Sequence, residues 1–194
     1  GDRTGNILPV DSSIVPPATG NDIVVVYPYN DGYFYNSDTK SVQAMLPTEQ
    51  TYLKDSYGLD GNIMVSSSEY NQITLKSVCG WLKLQLTGEG EKIESITVRG
   101  NSGEQLAGEL YINTTDATSI LASQLTESDD DSEVSGTLVR PGTILTEVTL
   151  NCLDGSSPTE KGVALGAEAT SFYIALPPQT FTKGLTVEIT AVDG

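Results

Sequence analysis

The sequence predicts an all-β protein, an antiparallel β-sandwich with at most one short helix. Three observations predict this class. Apolar and polar residues alternate in several short segments, which is the pattern of strands with one buried face. Turn-forming residues divide these segments, and short strands divided in this way favour a sandwich over β/α units. Only one window, residues 116–125, has a helical pattern, and it is short.

The first strands surround an aromatic segment, YPYNDGYFY at residues 27–35, which has five rings in nine positions. The NDG run at 30–32 tolerates positive φ, so we expect a hairpin whose arms are residues 23–29 and 33–35. Pro28 cannot donate to a ladder, which places it at an edge or a bulge. Successive side chains of a strand point to opposite faces, so the rings would be divided between the two faces of the strand. A sugar platform needs coplanar rings on one face. We therefore interpret the rings as structural, with ligand stacking and protein contact as the alternatives.

Five later segments show the alternation most clearly. In WLKLQLT, residues 81–87, three leucines fall on one face while Lys83 and Gln85 fall on the other. Half-buried strands require this arrangement, because successive side chains point to opposite faces. The residues that we expect to share a face, strand by strand, are Leu82, Leu84 and Leu86; Leu106, Gly108, Leu110 and Ile112; Ile144, Thr146, Val148, Leu150 and Cys152; Phe172, Ile174 and Leu176; and Leu185, Val187, Ile189 and Ala191.

The helical window is DATSILASQL, residues 116–125. Asp116 is a candidate N-cap, and three apolar residues of the window share a stripe at helical spacing. The window leads into the acidic stretch TESDDDSEVSG, which we interpret as a solvated loop. Carboxylates are hard ligands for calcium, but these lack the spacing of an EF-hand loop, so we assign no metal site to Asp129, Asp130, Asp131 and Glu133.

Composition limits the classes of partner. The chain has 194 residues, enough for one ordinary core or two small ones, and 26 acidic against 10 basic side chains give a net charge of -16. Such a surface repels phosphate backbones and anionic headgroups, so we expect no nucleic-acid partner. No apolar run approaches the roughly 20 residues of a membrane span. We expect an extended N-terminal segment, residues 1–22, followed by a single β-sandwich domain, residues 23–194.

The residue types present exclude most catalytic chemistry. Because the chain has no histidine, imidazole-based triads and zinc sites are excluded. A glycosidase needs only two acids held about 5 to 9 Å apart, but any chain this acidic offers such residues. We therefore expect no enzyme activity, no cofactor and no catalytic, cofactor-binding or metal-binding residues. The carboxylates considered for an acid pair are Glu49, Asp55, Asp60, Glu104 and Glu109.

The two cysteines, Cys79 and Cys152, each lie at the edge of an apolar strand pattern. They lack CxxC spacing, which excludes a thiolate zinc site or a dithiol redox pair. We favour two buried thiols that act as small hydrophobes. The alternative is a disulfide between them, which would be worth about 4 kcal/mol if it is unstrained.

Four stretches resemble the fimbrillin family, the surface pilins and pilin-like adhesion lipoproteins of certain Gram-negative anaerobes. They follow the family's order, and the third and fourth are the most specific. The residues matched as fold determinants are Trp81, Pro177, Pro178 and Gln179. The stretches are VVVYPYND (24–31), MLPTEQTY (45–52), VCGWLKLQLTGEGEKIESITVRGNSGEQLAGEL (78–110) and SFYIALPPQTFTKGLTVEITAVDG (171–194).

The resemblance implies a transthyretin-like, Greek-key sandwich that is exported, processed and lipid-attached upstream of this chain. In polymerising pilins of this type, cleavage after an arginine removes the first strand, and a donor strand from a neighbouring subunit fills the groove. Arg3 lies too near the start for that role. Family members usually continue into a second β-domain, so we expect residues 23–194 to match the amino-terminal domain of a longer two-domain protein.

The expected function is that of a non-enzymatic cell-surface structural protein, a fimbrillin-like pilus subunit or adhesin acting through β-strand exchange and surface contacts. Its expected partners are other pilus subunits, host or bacterial surface proteins, or glycans. Its expected location is the cell surface and outer membrane, as a lipid-anchored precursor, or an extracellular fimbria. Membrane attachment would require a lipid anchor absent from this chain. The alternative is a carbohydrate-binding or glycan-capture module that uses the rings of residues 27–35 or Trp81.

Overall fold

A computed structural model of the chain describes residues 22–58, 61–69, 73–124, 143–152 and 162–192. Over these ranges the protein is an all-β, sandwich-type fold with a short 3₁₀ turn at Ala122–Gln124. None of the described residues forms a helix of the length and apolarity that a membrane crossing requires. The strands are β1 (Asp22–Tyr27), β2 (Phe34–Asn36), β3 (Ser41–Leu46), β4 (Glu49–Thr51), β5 (Met64–Glu69), β6 (Lys76–Ser77), β7 (Gly80–Leu86), β8 (Lys92–Gly100), β9 (Ala107–Asn113), β10 (Ser119–Leu121), β11 (Ile144–Leu145), β12 (Glu147–Asn151), β13 (Val163–Ala164), β14 (Thr170–Leu176) and β15 (Leu185–Ala191).

Two antiparallel sheets enclose the first hydrophobic core. One has the order β1-β5-β6, and the other has the order β10-β9-β3-β2 with β11 also paired to β9. Alternation directs every second side chain of β3 and β9 inward, and Val42, Leu46 and Ile112 are fully buried. They pack in one cluster with Val65 of β5 and with Cys79. Burying an aliphatic side chain stabilises the fold by roughly 1.5 to 3 kcal/mol relative to exposure.

The second core lies between the β7-β14 pair and a larger sheet. That sheet has the order β13-β8-β12-β4, and β15 extends it by pairing with β8. Ile96 and Val98 of β8 pack in the same cluster as Phe172 and Ile174 of β14. The ring of Tyr52 lies 5.2 Å from that of Phe172, tilted by 45°. Both clusters include residues from strand faces that the alternating patterns predict.

The larger sheet contains a parallel pair, although we expected an antiparallel sandwich. Strand β4 runs parallel to β12, with Glu49 beside Thr149 and Thr51 beside Asn151. Backbone hydrogen bonds continue the pairing at both ends, from Thr149 N to the Thr48 oxygen at 2.7 Å and from the Tyr52 N to the Asn151 oxygen at 2.9 Å. Because β4 and β12 are far apart in sequence, no tight turn dictates their direction.

The predicted hairpin around the NDG run is wrong. The turn itself forms, with the Tyr33 amide donating to the Asn30 carbonyl at 3.1 Å. Its two arms belong to different sheets: β1 pairs with β5, whereas β2 pairs with β3. Pro28 lacks an amide hydrogen, so the β1 ladder ends beside it at Tyr27. The turn therefore carries the chain across the first core.

Two further segments differ from the prediction. Residues 116–125 form no α-helix over their described part, since Ser119–Leu121 is a strand paired with β9 and the 3₁₀ turn follows. The expected single strand at 144–152 is two, because β11 pairs with β9 while β12 pairs with β8. Tertiary pairing overrides the local pattern in both cases.

Several expectations fall outside the described residues. They concern the extended N-terminal segment, apart from Asp22 at the start of β1, and the acidic loop with its candidate calcium ligands. Asp60 also lies outside these ranges.

Candidate functional site

Strand β15 is the first candidate surface, and its register is set by a local turn. Gly184 has a φ of +76°, which favours glycine, and its carbonyl accepts a hydrogen bond from the Asn101 amide at 3.1 Å. The Asn101 side chain donates to the Lys183 carbonyl at 2.9 Å and accepts from the Thr186 hydroxyl at 2.6 Å. Leu185 then lies opposite Gly100, and the ladder with β8 begins there.

The apolar face of β15 extends beyond the core. Val187 lies opposite Val98, and Ile189 lies opposite Ile96. The two β8 residues are fully buried, whereas Val187 is 36% exposed and Ile189 is 43% exposed. Among the described strands, β15 pairs with β8 alone, so its other edge is unpaired within that part of the chain. Sheet edges of this kind can pair with a strand from another chain.

An ion-pair network holds the polar face of the same strand. The Arg99 guanidinium contacts Glu188 of β15 at 2.7 Å and Glu147 of β12 at 2.9 Å. The two carboxylates raise the pKa of Arg99, Glu188 having the larger effect. All three side chains are exposed, so each ion pair is screened by water. The network links β15 to β8 and β12.

The second candidate surface is a cavity of about 160 Å³ at the turn between β1 and β2. Four aromatic residues line it, together with Val26 and Val42 from the facing sheets of the first core. Tyr29 is 87% exposed, Phe34 is 62% exposed and Tyr35 is 42% exposed. The complete lining is Val26, Pro28, Tyr29, Asn30, Tyr33, Phe34, Tyr35 and Val42.

Hydrogen bonds fix the turn that carries these rings. The Asn30 side-chain oxygen accepts from the Gly32 amide at 2.8 Å. The Tyr29 hydroxyl hydrogen-bonds to the Asp31 carboxylate, and this bond raises the pKa of Tyr29. Burial raises the pKa of Tyr33, whose ring packs against the first core. The rings therefore sit on an ordered support.

Trp81, the other candidate for sugar stacking, has one face occupied. Its ring stacks on Tyr57 with centroids 4.2 Å apart and planes 19° from parallel, and it packs against the first core. Pro177 is buried, and the Gln179 side chain donates to the Gln105 carbonyl. Trp81, Pro177 and Gln179, three of the four residues expected to be fold determinants, thus make packing or hydrogen-bond contacts, whereas the fourth, Pro178, is exposed.

The carboxylates considered for catalysis lie on separate elements. Glu49 is on β4, Asp55 is in the loop that follows it, and both are exposed. Glu104 precedes β9 and accepts from the Ser102 amide at 2.8 Å, while Glu109 lies on β9 itself. Within the described ranges, no group of three or more histidine, cysteine or acidic residues is placed to hold a metal ion.

Both cysteines are free thiols in buried positions, as favoured from the sequence. Cys79 belongs to the first core cluster and Cys152 to the second, so no disulfide joins them. Burial in apolar surroundings raises the pKa of each thiol to about 12. Neither is therefore a reactive thiolate at neutral pH.

Comparison with known proteins identifies no relative of this chain. The chain matches no family model, no curated protein and no solved structure. The resemblance to fimbrillins thus stays a prediction that rests on the sequence stretches quoted above. The fold and the two surfaces define the class of protein: an all-β, sandwich-type fold with a strand edge that is unpaired among the described strands and a cavity lined by aromatic residues.

Sequence reasoning found the residues of both surfaces but missed their arrangement. Alternation identified Val187 and Ile189 as one face, yet nothing local to the strand shows that it is an edge. The aromatic density of residues 27–35 marked the second surface. Its valine walls come from β1 and β3, and only the tertiary fold brings them to the rings.

Proposed function

We propose that the protein is a non-enzymatic structural protein of the cell surface, a fimbrillin-like pilus subunit or adhesin that joins its partners by β-strand addition. The observation that carries the proposal is the β15 edge. Its seven residues pair with β8 on one side only among the described strands. Val187 and Ile189 leave apolar area exposed beside that edge.

The free energy of strand addition would come from two sources. An added strand satisfies backbone donors and acceptors along the edge, each hydrogen bond contributing about 0.5 to 1.5 kcal/mol net. Its inward side chains would also cover Val187 and Ile189, and burial of apolar area contributes roughly 25 cal/mol per Å². Specificity would come from the side chains that fit beside these two residues.

The cellular setting belongs to the same proposal. The sequence resemblance supports export, lipid attachment upstream of this chain and assembly at the outer membrane or in a fimbria. The net charge of -16 supports partners other than nucleic acid or anionic membranes. Other pilus subunits or surface proteins are the partners that an open strand edge fits.

The proposal is tested by comparing how strongly two forms of the chain, which differ in length at the amino end, assemble into multimers. The chain from Gly1 and a shortened chain from Asp22 would be concentrated, then analysed by light scattering and by gel electrophoresis in SDS without heating. We expect ladders of multimers from the shortened chain. The double variant Val187→Lys, Ile189→Lys should abolish them, because lysine at an edge opposes strand pairing.

Met45→Lys is the matched control, since Met45 is exposed on β3 and lies outside β15. It should leave the ladders unchanged. Persistent monomers at both lengths, or ladders in the double variant equal to those of the unmodified chain, would count against the proposal.

Glycan capture is the second candidate, and the exposed rings of Tyr29 and Phe34 favour it. Sugars stack on exposed aromatic faces, and tyrosine adds a hydroxyl for hydrogen bonding. Intrinsic fluorescence in the presence of a polysaccharide panel tests this candidate. A shift in tyrosine emission that Phe34→Ala reduces would support it, whereas a flat response would exclude it.

A further inference from the structure

The ring-lined cavity has a composition that selects for one kind of ligand group. Its volume is about 160 Å³, below the roughly 300 to 1,000 Å³ of pockets for drug-sized ligands. It therefore accommodates one compact group. Four of its eight lining residues are aromatic and three are aliphatic, and no lining residue carries a positive charge.

The lining offers one amide and three tyrosine hydroxyls as polar groups. Asn30 is its single amide side chain, and the oxygen of that amide already accepts from Gly32 at 2.8 Å. A sugar ring entering the cavity would bring several hydroxyl groups, and burying hydroxyls without partners costs free energy. A compact group that brings no hydroxyls of its own avoids this cost.

The electrostatic surroundings favour a cation. Aromatic faces carry negative quadrupole potential and attract cations within about 6 Å of the ring centroid. Asp31 lies beside the lining residues in the turn, and its carboxylate accepts a hydrogen bond from Tyr29. A chain of net charge -16 also attracts cations from a distance.

We propose that this cavity, formed by Tyr29, Tyr33, Phe34 and Tyr35 beside Asp31, binds an organic ammonium group through cation–π contacts. This binding site is independent of strand addition, because its lining comes from β1, β2, β3 and the β1–β2 turn, whereas β15 packs on the second core. An experiment that disproves strand addition at β15 therefore does not disprove ammonium binding in the cavity, and the reverse also holds.

Three probes of similar size test the proposal on the full chain at constant ionic strength. Choline carries a quaternary ammonium, 3,3-dimethyl-1-butanol is its neutral carbon analogue, and butylammonium presents a primary ammonium. Binding would be followed by nuclear magnetic resonance shifts of the backbone amides of residues 26–42. We expect choline to bind at least about twofold more tightly than the neutral analogue, which is the scale of cation–π contacts to exposed rings.

The butylammonium result identifies the source of the group. Binding of butylammonium comparable to that of choline would point to lysine side chains of a partner, and choline preference would point to quaternary ammonium ligands. Either result supports the proposal. Equal or tighter binding of the neutral analogue would overturn it, as would the absence of binding by both cations.

Substitutions inside and outside the cavity test where the ammonium group binds. Phe34→Leu and Asp31→Asn should each weaken choline binding several-fold, whereas Tyr111→Leu should not, because Tyr111 lies outside the cavity lining. Unchanged choline affinity in both cavity variants would overturn the assignment to this cavity. If Phe34→Leu fails to fold, the comparison of probes on the unmodified chain decides alone.

Discussion

The side-chain amide of Gln50 pairs with the main chain of Ala175 as a peptide group would. Its nitrogen donates to the Ala175 carbonyl at 2.9 Å, and its oxygen accepts from the Ala175 amide at 2.8 Å. Both residues are buried, and they belong to β4 and β14, which lie in different sheets. Gly61 leaves space for the pair, since a Cβ there would lie 2.7 Å from the Ala175 Cβ. One glutamine thus bridges two sheets of the fold.

Replacing this amide should destabilise the protein substantially. Gln50→Leu keeps the approximate volume but leaves the buried Ala175 amide and carbonyl without these partners, at about 1 to 3 kcal/mol for each group. We expect a loss of roughly 2 to 4 kcal/mol in the free energy of unfolding, measured by urea denaturation. The control Gln85→Leu changes an exposed glutamine on β7 and should cost less than about 0.5 kcal/mol. Equal effects of the two substitutions would contradict the bridging role.

Gly108, the glycine of β9, should not tolerate a side chain. Its φ is +99°, and a Cβ there would lie 1.9 Å from the Thr143 carbonyl oxygen. Gly108→Ala therefore strains the backbone and separates the Glu109 amide from the Thr143 carbonyl that it contacts at 3.0 Å. We expect a loss of at least about 2 kcal/mol. Gly166→Ala, where a Cβ would meet nothing within 4 Å, should be tolerated.

Both thiols should resist alkylation in the folded protein. Cys79 and Cys152 are buried with a raised pKa of about 12, so thiolate is scarce and access requires opening of the structure. We expect slow labelling at pH 8 and rapid labelling of both in guanidinium. Thr182→Cys adds a thiol at an exposed turn and should label at once. Fast labelling of the unmodified folded chain would show that the cysteines are accessible.

The same thiols predict a loss of stability in alkali. Their pKa rises from 9.0 to about 12 on folding, so below pH 9 both states hold the proton and stability does not depend on these groups. Between pH 9 and 12 the unfolded chain releases protons that the folded chain keeps, and the free energy of unfolding falls. Each thiol contributes up to about 1.4 kcal/mol per pH unit.

The double variant Cys79→Ala, Cys152→Ala is the control for this pH dependence. Its stability should fall less steeply over the same range, although Tyr33 and Tyr52, whose pKa values are raised chiefly by burial, keep part of the slope. Urea denaturation at several pH values measures both slopes. Identical slopes in the variant and the unmodified chain would mean that the thiols are not the cause.

Strand alternation could be predicted from the sequence because it is a local property. Leu82, Leu84 and Leu86 pack against the second core while Lys83 and Gln85 are exposed, as the pattern indicates. Strand partners could not be predicted in the same way. The NDG run forms its turn, but β1 pairs with β5 and β2 pairs with β3, and no feature of the run itself indicates these partners.

For the candidate surfaces too, the sequence predicts the local strand pattern but not the arrangement of the strands. The face formed by Val187 and Ile189 is visible in the sequence, yet their exposure depends on β15 being the outermost of the described strands on its side of β8. The parallel pairing of β4 with β12 also has no local signal. Gln50 gives no sign in the sequence that its amide bridges two sheets, because its partner lies 125 residues away.

Amide hydrogen exchange in β15, compared between monomer and assembled material, tests the account most directly. In the monomer the outer edge is unpaired within the described part of the chain, so amides on that edge should exchange rapidly. Strand addition predicts that assembly slows exchange at alternate residues of Leu185–Ala191 by at least about tenfold. Assemblies in which β15 exchanges as fast as in the monomer would contradict the account.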